Sequence, residues 1–452
     1  MMIRNATILA SWKGSAAMKF VRRIVTLWSF VVLTVALCAQ IPAPPQFQPI
    51  YLVGGTIHTG DGRVIPNGVI GFRDGKITVV TTRDAFREDT AQGKIINVEG
   101  KHLYPGLIAL NTTLGLREID AVRATRDERE VGELNPNVRA IIAYNVDSKI
   151  IPTVRSNGIL LAQIVPQGPV VPGLSSVVQL DGWTWEEAAY AVDNGLHVVW
   201  PLASRIQRRD HSRSPHTKQR KDWAQERFRK IKKLFDDARL YCQASKPRQI
   251  NLKLAAVCEV LRGRRRLFVH TNDAKGILSA VEFFKAYGIR PIIVGGAQAD
   301  RVIDVLKRDS IPVVVTGTHR MPPQADAPID HPYTLPATLY RHHILFAIAA
   351  GGTWMQRNLP FHVGTAIAYG LPYEEGVKAV TSNAAKILGI DDRCGMLAPG
   401  YDATLIVCAG DLFNPATSIV EMAFLQGQQV DLTDMHKQLY QKYLIRYGLQ
   451  RR

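Results

Sequence analysis

Eight short apolar runs in the middle of the chain constrain its fold more than any other feature. They are LIAL (107–110), GILLAQIV (158–165), SSVVQL (175–180), HVVW (197–200), LFVH (267–270), PIIVGG (291–296), PVVVTG (312–317) and LFAIAAGG (345–352). They alternate little between apolar and polar residues, so each reads as a strand buried on both faces. Between the later runs lie stretches with apolar residues at helical spacing, from Asp273 to Tyr287 and from Asp300 to Arg308. Units of this kind predict an α/β chain built on a (β/α)8 TIM-like barrel over residues 105–394. With 452 residues and 46% hydrophobic content, there is material for that barrel and a smaller domain.

The flanks follow a different pattern. Residues 51–104 read as short strands with tight turns, because Asp61-Gly62 and Asp74-Gly75 tolerate the positive φ a hairpin needs. VIGFRDGKITVV (69–80) is a strand, an Asp-Gly turn and a second strand. Strand patterns return in residues 395–432, with GMLAPGYDATLIV and SIVEMAFLQGQQV. The expectation is a small composite β-sandwich domain made from both ends of the chain, with the barrel inserted. Residues 433–452 read as a C-terminal helix or tail.

The first 39 residues read as a signal peptide. Met18-Lys19-Phe20-Val21-Arg22-Arg23 is a basic start that fits a translation start at Met18, and Ile24 to Leu37 is an apolar run. It is short for a membrane span and is followed by a Pro-rich linker over residues 40–50. The expected location is periplasmic or secreted, with membrane contact only through this segment.

The net charge of +17 is local. Residues 1–39 hold five basic and no acidic residues, and residues 203–248 hold fifteen basic and five acidic ones. The remainder is close to neutral. The basic segment lacks the interleaved aromatics of a nucleic-acid stacking platform, so a solvated helix face is the better reading of residues 221–242. Glu226 and Lys230 there are ordered for an i,i+4 pair. Of the five cysteines, none shares a C-x-x-C spacing, which excludes zinc-ribbon and redox motifs. Disulfides and buried free thiols both remain open.

PGLI (105–108), VKAVTSNAAKILGI (377–390) and GMLAPGYDATLIV (395–407) together resemble the amidohydrolase superfamily, most closely its imidazolonepropionase-like branch. The resemblance implies a barrel whose mouth holds one or two divalent metals, often zinc, for hydrolysis of non-peptide C–N bonds. It also implies a ligand set: His-x-His after the first strand, a lysine or Glu near the fourth, histidines after the fifth and sixth, and an Asp after the eighth. In this chain the His-x-His positions are Asn111 and Thr113. The fourth strand ends at Trp200-Pro201. His270 stands after the fifth strand, Gly295 after the sixth, and Gly352 or Thr353 after the eighth. One imidazole with weak oxygen donors does not hold a metal tightly.

The candidate pocket residues are therefore Asn111, Thr113, His270 and His319, with no metal ligands and no cofactor expected. His270 is also the candidate catalytic base, although a lone strand-end histidine is often structural. His319 is a possible substrate contact, with loop capping the blander reading. The sequence favours a pseudoenzyme that binds a small molecule or peptide, or that partners a related amidohydrolase subunit. The alternative is an active hydrolase with a reduced or relocated site. G-x-S-x-G and the phosphate-binding G-x-x-x-x-G-K-[ST] are both absent.

Overall fold

The computed structural model describes residues 41–87, 92–201, 216–243 and 249–449, with only the backbone of 216–221. The expected signal peptide and most of the loop over 203–220 lie outside the described residues.

A mixed eight-stranded sheet precedes and follows the barrel in the chain. Its N-terminal strands are β1 (Ile50–His58), β2 (Val64–Arg73), β3 (Lys76–Thr82), β4 (Lys94–Asn97) and β5 (His102–Pro105). The hairpin turn between β2 and β3 holds Asp74 and Gly75, both at positive φ as the Asp-Gly pair predicts. The barrel strands are β6 (Leu107–Thr112), β7 (Ile159–Ile164), β8 (Gly173–Gln179), β9 (Ala189–Val199), β10 (Arg266–Thr271), β11 (Ile292–Gly295), β12 (Val313–Thr316) and β13 (Phe346–Ala349). Then come β14 (Leu405–Cys408), β15 (Val420–Leu425) and β16 (Gln428–Gln429), which rejoin the first sheet where β14 pairs antiparallel with β5. One apolar cluster gathers Leu52, Phe72 and Leu103 with Leu405, Val407 and Phe424.

The pairing makes these flanking strands one continuous sheet, curled enough that Phe72 of β2 packs on Phe424 of β15 with ring centroids 5.0 Å apart. The reason lies in β1. Its register shifts around Gly55, so Ile50–Val53 pair with β4 while Thr56 and Ile57 pair with β5. A bulged strand serves two neighbours on one side.

All eight apolar runs form strands of one sheet, in the order β6 to β13. β6 lies beside β13, so the barrel is nearly closed. Thr112 Oγ1 donates to Gly352 O across that seam at 3.2 Å, and Ile108 N–H donates to Val380 O at 2.9 Å. Ile108, Leu161, Phe268, Val294 and Ala347 form an inner cluster. Leu107, Ile159, Val269, Ile293 and Val313 belong to an outer one. Burial of both strand faces explains the unbroken apolar runs.

The barrel departs from a regular (β/α)8 in its first half. β8 runs antiparallel to both β7 and β9. Only residues 165–172 join β7 to β8, too few for the crossover that parallel neighbours require. Helices are short there: α1 (Ile151–Arg155) precedes β7 and α2 (Trp185–Ala188) precedes β9. Full-length helices follow: α3 (His216–Gln243), α4 (Leu252–Leu261) and α5 (Ala274–Lys285). The rest are α6 (Ile303–Arg308), α7 (His331–Arg341), α8 (Leu359–Ala368), α9 (Tyr373–Ala379), α10 (Ser382–Leu388) and α11 (Met435–Tyr447).

α3 buries Ile231, Leu234, Phe235 and Ala238. Its outer bases are partly paired, Lys230 with Glu226 at 2.6 Å and with Glu133 at 2.9 Å. A disulfide joins Cys242 to Cys258 and so ties α3 to α4, while Cys394 and Cys408 are buried free thiols.

Candidate functional site

The loops at the C-terminal ends of the barrel strands enclose a cavity of about 340 Å³. Asn111 and Thr113 from the end of β6, His270 from β10 and Gly295 from β11 line it. Arg117, Gln167, Trp200, Asn272, Asp273, Thr316 and Gly352 complete the wall. Three of the four expected pocket residues, Asn111, Thr113 and His270, thus come together.

His319 does not join them. The chain turns at Gly317, φ +76°, and His319 lies against α8. Its Nε2 is 2.6 Å from Thr365 Oγ1 and its ring sits 4.2 Å from that of His362. There it lines a separate cleft with Tyr373 and Asp411.

Asn111 adopts φ +52°, a left-handed conformation that asparagine tolerates better than most residues. Its N–H donates to Gln163 Oε1 at 3.2 Å. Gln163 Nε2 donates in turn to Ser175 Oγ at 3.1 Å, and Ser175 Oγ to Asn194 Oδ1 at 3.1 Å. This polar series crosses the barrel wall from β6 to β9. Thr113 Oγ1 is 2.9 Å from Thr353 Oγ1, so its hydroxyl already has a partner inside the protein.

His270 Nε2 is 2.8 Å from Nδ1 of His197, a residue of β9 with no exposed surface. The His197 ring stacks on Phe268, with centroids 4.8 Å apart. Burial, and then the neighbouring His270, push the His197 pKa well below its ordinary value, which keeps that imidazole neutral. The sequence reading missed His197 because HVVW looked like one apolar run. A polar residue inside a strand buried on both faces was the available signal, since such a group needs a partner.

The side chains around the mouth differ from the metal-ligand set that the sequence resemblance implies. Among the described residues, no three His, Cys, Asp or Glu side chains converge as a ligand group. Asp273 caps α5, its Oδ1 accepting from Gly276 N–H at 2.8 Å. Where the resemblance calls for a histidine, Gly295 has φ +107°. A Cβ there would meet Asn272 Oδ1 at 2.5 Å and the Thr271 carbonyl oxygen at 2.9 Å. The Asn272 amide therefore occupies ground that a residue-295 side chain would need. Gly352, by contrast, faces open space.

A nearly closed barrel is thus flanked by a mixed sheet built from both chain ends. Residues 341–430 match the family model described as Amidohydrolase family. The structure is similar to an amidohydrolase from Thermotoga maritima MSB8, with TM-score 0.71 and 23% identity over 84% of this chain and 99% of that one. It is also similar to a molinate hydrolase, TM-score 0.55 and 14% identity over 87% of this chain and 96% of that one. A third likeness is to A. niger ochratoxinase, TM-score 0.53 and 14% identity over 84% of this chain and 95% of that one. The family-model match covers residues 341–430, and the fold of the chain is that of these amidohydrolases. No curated protein matches the sequence. At these identities the structural likenesses establish fold, and fold does not carry activity.

Proposed function

We propose that the protein is an exported binder on an amidohydrolase fold. Its barrel mouth takes a small molecule or peptide, or supports a related active subunit, without metal-dependent hydrolysis of C–N bonds. One observation carries this reading: Asn111, Thr113, Gly295 and Gly352 stand at the expected ligand positions, and Asn272 fills the space beside Gly295. A cavity of about 340 Å³ with many neutral hydrogen-bonding groups is of small-ligand size. The test is a thermal-shift screen of small amides and dipeptides, paired with a hydrolysis assay in added zinc or manganese. Ligands that raise the melting temperature without being cleaved support the reading. Turnover that chelator abolishes contradicts it.

A second reading keeps some catalysis, with His270 as a general base. His197 favours it, because a buried neutral partner 2.8 Å away can fix the orientation of a base. Metal-independent turnover lost in His270→Gln would support this alternative.

Export rests on the sequence of residues 18–39 and on the Cys242–Cys258 disulfide, a bond typical of oxidising compartments. It implies a mature N-terminus near Ala39 and Gln40. N-terminal sequencing that found Met1 or Met18 on soluble cytoplasmic protein would count against it. We also take the flanking sheet to be a composite domain, since its apolar cluster draws on both chain ends. Deleting residues 395–432 should then make residues 51–104 protease-sensitive.

A further inference from the structure

The C-terminal helix α11 leaves most of its aromatic side chains in solvent. At 100° per residue, Met435, Leu439, Tyr440, Tyr443 and Tyr447 fall on one side. Lys437, Gln438, Gln441 and Lys442 fall largely on the other. A helix packed on its own protein turns the apolar side inward. Here the second set, joined by Ile445, lines a groove of about 1170 Å³ between α11 and the flanking sheet, where it faces Val420 and Glu421. The apolar side is left to solvent, with Tyr440, Tyr443 and Tyr447 exposed at 63%, 46% and 65%. No residue of α11 is buried.

The helix is nevertheless held in place. Asp434 caps it, accepting from His436 N–H at 2.7 Å and Lys437 N–H at 3.0 Å. Ser156 Oγ fixes that carboxylate at 2.7 Å. The aromatic stripe is therefore presented by a docked element whose first turn is fixed.

Charge identifies what covers it. From Met435 to Tyr447 the helix carries His436, Lys437, Lys442 and Arg446 and no acidic residue, and the sequence ends in Arg451-Arg452. Two copies meeting through this stripe would oppose like charges. An anionic lipid surface meets both properties: basic side chains gain from its negative potential, and tyrosine rings settle at headgroup depth.

We propose that α11 is a surface-lying membrane-docking helix that seats the protein on anionic lipid through Leu439, Tyr440, Tyr443 and Tyr447, with Lys442 and Arg446 at the edge. The barrel's ligand, and the reading of the mouth above, play no part in this.

The test is co-sedimentation of the full chain with vesicles of phosphatidylcholine alone or mixed with phosphatidylglycerol. Three chains are compared: the natural one, Lys442→Glu/Arg446→Glu, and Leu439→Ser/Tyr443→Ser. All four positions are exposed, and unchanged melting temperatures will show that the variants fold. The natural chain should prefer the anionic vesicles, and each double variant should weaken that binding at least about tenfold. Raised salt should weaken the natural chain as well. Equal binding by all three chains overturns the proposal and assigns the contact to residues 1–40. So does indifference to lipid charge. A concentration-dependent dimer that Leu439→Ser/Tyr443→Ser abolishes also overturns it, in favour of a second copy.

Discussion

Replacing Gly295 by alanine tests whether the mouth has been rebuilt around the missing ligand. The backbone at this position has φ +107°, a region that residues with a side chain rarely enter, and forcing one there costs about 1–3 kcal/mol. The new Cβ would also sit 2.5 Å from Asn272 Oδ1 and 2.9 Å from the Thr271 carbonyl oxygen, an overpacking cost of about 1–3 kcal/mol. Gly295→Ala should therefore lose about 2–6 kcal/mol in urea unfolding, and Gly295→His at least as much. Adding Asn272→Ala removes the amide contact but neither the Thr271 carbonyl nor the backbone strain. The double variant should then recover part of the packing share only, seen as a coupling of about 1 kcal/mol. A Gly295→Ala change within about 0.5 kcal/mol of the natural chain would refute the argument. Zero coupling with Asn272→Ala would show that the amide is not the obstacle.

Two further outcomes follow from other parts of the fold. Reducing the Cys242–Cys258 disulfide, which closes a sequence separation of 16, should cost up to about 3 kcal/mol, read as a lower urea midpoint in dithiothreitol that Cys242→Ser reproduces. Stability should also fall as the solution is acidified. Burial first, and His319 second, lower the His362 pKa to about 4, so the unfolded chain binds the extra proton between about pH 6.5 and 4. Stability is then full above about pH 6.5 and is lost towards pH 4. His362 alone contributes about 3 kcal/mol, and His102 and His197, whose pKa values are also lowered, act in the same direction. A melting temperature that rises on acidification across this window, or a slope unchanged in His362→Gln, would contradict the assignment.

The barrel strands were legible because burial on both faces leaves an unbroken apolar run, and each of the eight runs became a strand. Strand direction was not legible from the runs themselves. The antiparallel course of β8 is written in the short 165–172 connection, a matter of chain length and not of hydropathy. Asn111, Thr113 and His270 could be placed at the mouth because each follows a strand end. His319 was misplaced by the same logic, since a turn at Gly317 separates it from its strand. His197, Gln163 and Ser175 escaped notice because each contributes one polar group to a strand, and only tertiary structure pairs them across neighbouring strands. Asn272 was invisible for a related reason. Its role depends on the space left by a glycine more than twenty residues away.

The central claim is that the mouth of this barrel does not assemble a metal centre. Elemental analysis of the purified protein tests it most directly, with thermal melts in chelator and in added zinc, manganese or iron. A bound metal that favours the folded state raises the melting temperature with concentration, and a catalytic zinc normally has three protein ligands and an open position. Far less than one equivalent of metal is expected, with melts unmoved by metal or chelator and no C–N hydrolysis switched on. Asn111→His with Thr113→His should leave that result unchanged, because Gly295 and Gly352 still supply no ligand. A stoichiometric metal whose removal by chelator lowers the melting temperature and abolishes hydrolysis would contradict the account.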